Sequence, residues 1–127
     1  MARSQLRPTD AELSILRVLW ERGPSTVRQV HEVLVDTRET GYTTTLKLMQ
    51  IMSDKGLVKR NETARTHIYS AIAGEEQTQR QLVKDLVDRA FGGSAAQLVL
   101  RALSAEGASD AEVKELRKLI DDYREKR

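Results

Sequence analysis

The chain has 127 residues, room for one compact domain or for a small head with a helical appendage, and its 31% charged and 39% hydrophobic residues describe a soluble, folded chain. It has no cysteine, which excludes disulfides, thiolate metal sites and thiol catalysis. No stretch approaches the roughly 18 apolar residues of a membrane helix, and the start MARSQLRPTD has no apolar signal core, so a cytoplasmic location is expected. The net charge of +2 is uneven: residues 1–72 hold 11 Lys/Arg against 8 Asp/Glu, and 73–127 hold 10 against 11, a small basic bias that favours an anionic partner for the first half.

Thr9 and Glu12 have the spacing of a capping box and open a helix with Leu13, Leu16, Leu19 and Trp20 facing inward, stopped at Gly23-Pro24. Ser25 or Thr26 caps a second helix, with Val27, Val30, Val33 and Leu34 inward, which gives way to a polar connection ending at Gly41.

The stretch Gly41 to Arg60, GYTTTLKLMQIMSDKGLVKR, reads as a third helix with a hydroxyl-rich start, a stop at Gly56, and a strand from Leu57 to Arg60. Thr45, Leu48, Met49 and Met52 follow the three-four spacing of a face packed on a core. The opposite face offers the Thr44 hydroxyl, the Lys47 cation and the Gln50 amide, a set able to hydrogen-bond base edges and phosphates, so it resembles a recognition helix. Asn61 to Thr66 is a polar turn and His67 to Ala71 a returning strand. Three helices and a hairpin make a winged helix-turn-helix head over residues 1–73.

Residues 74–127 form the second region, three short glycine-separated helices. Their stripes include Leu82, Leu86 and Phe91, then Leu98 and Leu103 after a Ser94 cap, then Leu116, Ile120 and Tyr123 after a Ser109–Glu112 capping box. So small a unit buries too little apolar surface to stand alone, and a second copy would supply the missing burial. It is therefore expected to be a dimerisation domain, making the fold mainly α with one small β-hairpin.

Three runs, LRPTDAELSILRVLWERGPSTVRQVHEVL, YTTTLKLMQIMSDKGLVKR and FGGSAAQLVL, together resemble the BlaI/MecI penicillinase-repressor family over nearly the whole chain. The resemblance implies a homodimeric bacterial repressor that binds palindromic operator DNA through its winged head. Copper-responsive members use cysteines near the C-terminus, and this chain has none. In the beta-lactam-responsive branch a membrane sensor protease is associated with cutting an Asn-Phe bond; the matching place here is Arg101-Ala102. The chain also departs from the family pattern at Lys47, often threonine, and at Ile51, often arginine, so its operator preference is expected to differ.

With the third helix inserted by its N-terminal end, Thr43 and Thr44 meet phosphate or base edges, Lys47 reaches a guanine or phosphate, and Gln50 an adenine. Tyr42 offers its hydroxyl to a phosphate or packs its ring under the helix start. Lys59 leads into the wing, Arg65 lies near its tip along the backbone or minor groove, and Thr26 and Arg28 hold a phosphate at the start of the second helix. Leu46 and Ile51 fall toward the outward side, where one can touch a thymine methyl. His31 and His67 share no ligand spacing with carboxylates, so neither metal nor cofactor is expected. No nucleophile–base pair or phosphate loop argues for an enzyme. A winged helix used as a protein-interaction adaptor, with no DNA site, is the competing class, and its binding would barely depend on salt.

Overall fold

The computed structural model describes residues 7–37, 39–63 and 65–126. Their elements run α1 (Asp10–Arg22), α2 (Val27–Leu34), α3 (Tyr42–Lys55), β1 (Val58–Asn61), β2 (Ile68–Ala71), α4 (Glu75–Ala90), α5 (Ala95–Glu106) and α6 (Asp110–Lys126). Two compact units divide between Leu82 and Val83, a point inside α4. The first is a winged helix-turn-helix head; the second is built of helices alone.

Reciprocal caps start the first two helices. Thr9 Oγ1 accepts from the Glu12 N–H at 3.2 Å while Glu12 Oε1 accepts from the Thr9 N–H at 2.9 Å, and Thr26 and Gln29 repeat the arrangement at the same distances. Thr26, not Ser25, is thus the cap of α2. Ser25 is buried and instead ties α2 to the hairpin: its N–H donates to Tyr69 O at 2.9 Å and its carbonyl accepts from the Tyr69 N–H at 2.8 Å. This bridge adds a one-residue third strand to the β1–β2 hairpin.

Around it lies the core: Ile15, Leu16, Val18 and Leu19 of α1, Val27, Val30 and Leu34 of α2, Met49 and Met52 of α3, and Leu57, Val58 and Tyr69 of the wing. In α1 the inward stripe is Glu12, Ile15, Leu16 and Leu19; Leu13 is only half-buried, so the helix is turned from the orientation its leucines alone suggest. The Trp20 indole N–H donates to Ala73 O at 2.8 Å, pinning the end of α1 to the segment after β2.

Glu12 is the charged member of that stripe. Its side chain is 3% exposed and accepts from Lys55 Nζ at 2.8 and 3.0 Å, tying the first turn of α1 to the last turn of α3. Removing Lys55 would strand the buried Glu12 carboxylate, which is costlier than losing a surface pair.

At its far end α3 stops on Gly56, whose φ of 84° is left-handed. The Gly56 N–H reaches Ser53 O at 3.2 Å and the Leu57 N–H reaches Met52 O at 2.9 Å. This is a Schellman cap, and Leu57 and Met52 both join the core. The chain then turns directly into β1, which pairs antiparallel with β2 in the register Val58↔Ala71, Lys59↔Ser70, Arg60↔Tyr69, Asn61↔Ile68. Period-two alternation sends Val58 and Tyr69 into the core and Lys59 to solvent. Both strands lie within a residue of their expected limits. The wing turn starts with Asn61 Oδ1 accepting from the Thr63 N–H at 2.9 Å and the Thr63 hydroxyl at 2.7 Å.

In the second unit Ser94 caps α5 through the Gln97 N–H at 3.1 Å, and Ser109 and Glu112 form the expected capping box of α6. Neither α5 nor α6 buries a residue. Leu82, Phe91, Leu98, Leu103 and Leu116 are half-buried, and Leu86, Ile120 and Tyr123 are exposed, Tyr123 by 67%. None of this stripe is core within one chain: a single helical unit of this size has too few facing apolar residues to close over them. Among the described residues no helix is long and apolar enough to cross a membrane.

Candidate nucleic-acid interface

The head presents α3 through a packed back. Thr45, Met49 and Met52 fill the inward side, and Leu46 and Leu48 pack partly against the core. At 100° per residue the outward arc is centred on Lys47, with Thr43, Thr44, Gln50, Ile51 and Asp54 within about 60° of it. All six are exposed. Leu46 therefore turns out to belong to the core side, while Ile51 stands on the outer face.

A threonine run at a helix start usually caps it, but here Gly41 is the N-cap and no side chain caps α3. Thr45 turns back, its hydroxyl 3.3 Å from Gly41 O and 3.4 Å from His31 Nδ1. Thr43 and Thr44 are left exposed, beside the first-turn N–H groups that the helix leaves without intrahelical partners.

Tyr42 packs against α2. The Arg28 guanidinium carbon lies 5.3 Å from the centre of its ring, and the His31 ring meets it edge-on at 5.8 Å with an interplanar angle of 87°. The ring thus packs against α2 with the Arg28 cation over it. Thr26 Oγ1 accepts the Gln29 N–H, and its own proton remains free to be donated.

Arg28, Lys47, Lys59 and Arg65 are exposed cations, and among the described residues none is in an ion pair. Lys55 and Arg60 are committed elsewhere, Lys55 to Glu12 and Arg60 to Glu62, with Arg60 Nε 2.7 Å from Glu62 Oε2. The Tyr69 side chain, and after it Glu62, hold the Arg60 pKa above its ordinary value. Asp54 is the opposing charge, one turn beyond Gln50 at the trailing end of the face. Glu12, Lys55 and His31, which fix the pose of α3, were missed as positioning residues; their partners are remote in sequence, and no local spacing signals them.

Both candidate cleavage residues, Arg101 and Ala102, are exposed within α5, and the Ser104 hydroxyl donates to Arg101 O at 3.2 Å. The bond between them lies in hydrogen-bonded helix.

An outward helix face of hydroxyl, cation and amide, flanked by a basic wing, has the chemistry of a DNA reader. The penicillinase repressor family profile matches residues 8–122, nearly the full length. The chain belongs to the penicillinase repressor family. It is similar to the transcriptional regulator BlaI of Mycobacterium tuberculosis, 32% identical over 105 residues that cover 81% of this chain and 76% of the relative. The penicillinase repressor of Staphylococcus aureus is 22% identical over 126 residues, 99% of this chain and 100% of the relative. The methicillin resistance regulatory protein MecI of Staphylococcus aureus strain N315 is 20% identical over 113 residues, 89% and 92% of the two chains. The family is one of DNA-binding transcriptional repressors, not of enzymes.

Proposed function

We propose that the protein is a cytoplasmic, homodimeric repressor that reads a palindromic operator, with α3 in the major groove and the wing along the backbone. The observation that carries this reading is the uncommitted front of α3: Thr43, Thr44, Lys47 and Gln50 are exposed together, on a helix whose back is fixed by the core and by the Glu12–Lys55 pair. Inserted by its N-terminus, α3 brings Thr43, Thr44 and its free N–H groups to phosphate or base edges, Lys47 to a guanine or phosphate and Gln50 to an adenine edge. Arg28, Tyr42 and Thr26 lie on the side of a flanking phosphate; Lys59 and Arg65 follow the backbone past the wing.

The open stripe of Leu82, Leu86, Phe91, Leu98, Leu103, Leu116, Ile120 and Tyr123 supports dimerisation, since pairing would remove from water the apolar surface that one chain leaves exposed. A two-fold dimer sets two heads on equivalent half-sites, hence the palindrome. Release by a protease, a membrane sensor among them, would act at Arg101-Ala102; the bond lies inside α5, so cutting requires that helix to open locally first, which pairing would oppose.

The test is the stoichiometry of the complex on duplexes carrying one or two copies of a selected half-site. Two chains bound cooperatively to the paired site, with affinity falling steeply as salt rises, are expected. Binding of one chain to a single half-site with no gain from the second would contradict the dimeric reading, and binding that barely weakens with salt would favour a protein-contact role.

A further inference from the structure

Ile51 is 44% exposed and takes no part in the core. A lone exposed apolar residue is ordinary on a protein surface; this one is set apart by its position. It lies about 40° from Lys47 around the axis of α3 and one turn further along, among exposed neighbours that are otherwise polar or charged: Thr43, Thr44, Lys47, Gln50 and Asp54. A β-branched residue at mid-helix brings no propensity advantage there over a polar helix former. Its γ- and δ-carbons can accept no hydrogen bond and pair with no phosphate. The apolar group that a major groove displays is the thymine C5 methyl.

We propose that Ile51 is a specificity residue that packs on a thymine methyl in each half-site, an assignment that rests on α3 being the reading helix. Ile51 lies about 6 Å beyond Lys47 along the helix, which separates the base pair it meets from the one that Lys47 governs. Asp54, following on the same face, repels phosphate and accepts from cytosine amino groups, so the pair restricts what can lie at the trailing end of the helix.

The experiment starts from duplexes enriched by the wild-type protein from a random pool. Each thymine of the enriched half-site is replaced by deoxyuridine, which removes one methyl group and leaves the pairing edge intact. Affinities are measured by fluorescence anisotropy for the wild type, Ile51→Ala and Ile51→Val, with far-UV circular dichroism to check that each variant is folded; an exposed position makes that the expected result. For the wild type, one thymine at a position other than the one that loses its preference in Lys47→Ala should lose about fourfold in affinity per half-site on conversion to deoxyuridine, the worth of one buried methyl group. Ile51→Ala should bind both duplexes equally, and Ile51→Val should keep most of the difference. Uracil substitution that is neutral everywhere, or a sensitivity that survives unchanged in Ile51→Ala, overturns the assignment while leaving α3 as the reader. A pool from which no sequence is enriched overturns both.

Discussion

Replacing Lys55 by methionine isolates the contact that fixes the pose of α3. The substitution keeps the length and apolar stem of the side chain and removes the cation 2.8 and 3.0 Å from the two oxygens of Glu12. Glu12 is 3% exposed, so its carboxylate would be left buried with the Thr9 N–H at 2.9 Å as its remaining partner. Breaking a fully buried pair by removing one member costs about 3–5 kcal/mol; Lys55 is 28% exposed, which lets water reach the vacated side and lowers the expected loss to about 2–3 kcal/mol. In a head of this size such a loss corresponds to a fall in Tm of roughly 10 °C or more. The assay is urea unfolding followed at 222 nm, at one fixed chain concentration because association couples to stability. Glu12→Gln, Lys55→Met should recover part of the loss, since the neutral amide keeps the Thr9 bond without a stranded charge. A loss below about 0.5 kcal/mol for Lys55→Met, the level of a solvated surface pair, would refute the reasoning.

Other consequences follow from the same geometry. Gly56→Ala should cost about 1–2 kcal/mol in the same unfolding assay: φ is 84° while nothing lies within 4 Å of an added Cβ, so the cost is conformational and not a clash. Thr26→Ala should cost about 1 kcal/mol by removing the cap of α2, whereas Thr26→Ser should be nearly neutral; equal losses for both would show that the capping hydroxyl is not what matters. Glu76→Gln breaks a pair whose members are 76% and 84% exposed, and its effect on stability should stay within about 0.5 kcal/mol. If the exposed stripe pairs two chains as proposed, Ile120→Lys with Tyr123→Lys should lower the sedimenting mass from two chains to one without lowering helix content; an unchanged mass would contradict pairing through this face.

Much of the head was legible because its signals are local. The Thr9–Glu12 capping box, the glycine stop of α3 and the alternation of the hairpin each depend on residues within a few positions of one another. These elements lie within about a residue of where their signals put them, whereas the Thr26–Gln29 box of α2 was read only as a cap at Ser25 or Thr26. Contacts remote in sequence were not legible. Ser25 bridges to Tyr69 through backbone atoms, which carry no side-chain pattern; Glu12 meets Lys55 because two helices cross, and by periodicity alone Glu12 reads as an ordinary capping residue. The leucines of α1 alone misplace its buried side, which Ile15 and the stem of Glu12 share. On the candidate site, the outward set Thr43, Thr44, Lys47 and Gln50 could be read from helical spacing. That Tyr42 packs under Arg28 and against His31 depends on how α2 and α3 cross, and so could not. The C-terminal stripe shows the converse: its periodicity was plain, but periodicity marks apolar faces without saying what covers them.

On the proposed function, the outer face of α3 chooses the sequence. Fluorescence anisotropy with a fragment from upstream of the protein's own coding region, against a scrambled duplex of equal length, tests it directly when wild type and Lys47→Ala, Gln50→Ala are titrated across a series of salt concentrations. Both side chains are exposed, so the variant should fold normally. The wild type should prefer the upstream fragment with steep salt dependence, and the variant should lose that preference while keeping residual, salt-sensitive binding through Arg28, Lys59 and Arg65, its salt slope reduced by about one phosphate contact if Lys47 meets the backbone. A variant that discriminates the two duplexes as well as the wild type does would contradict the assignment of α3 as the reader.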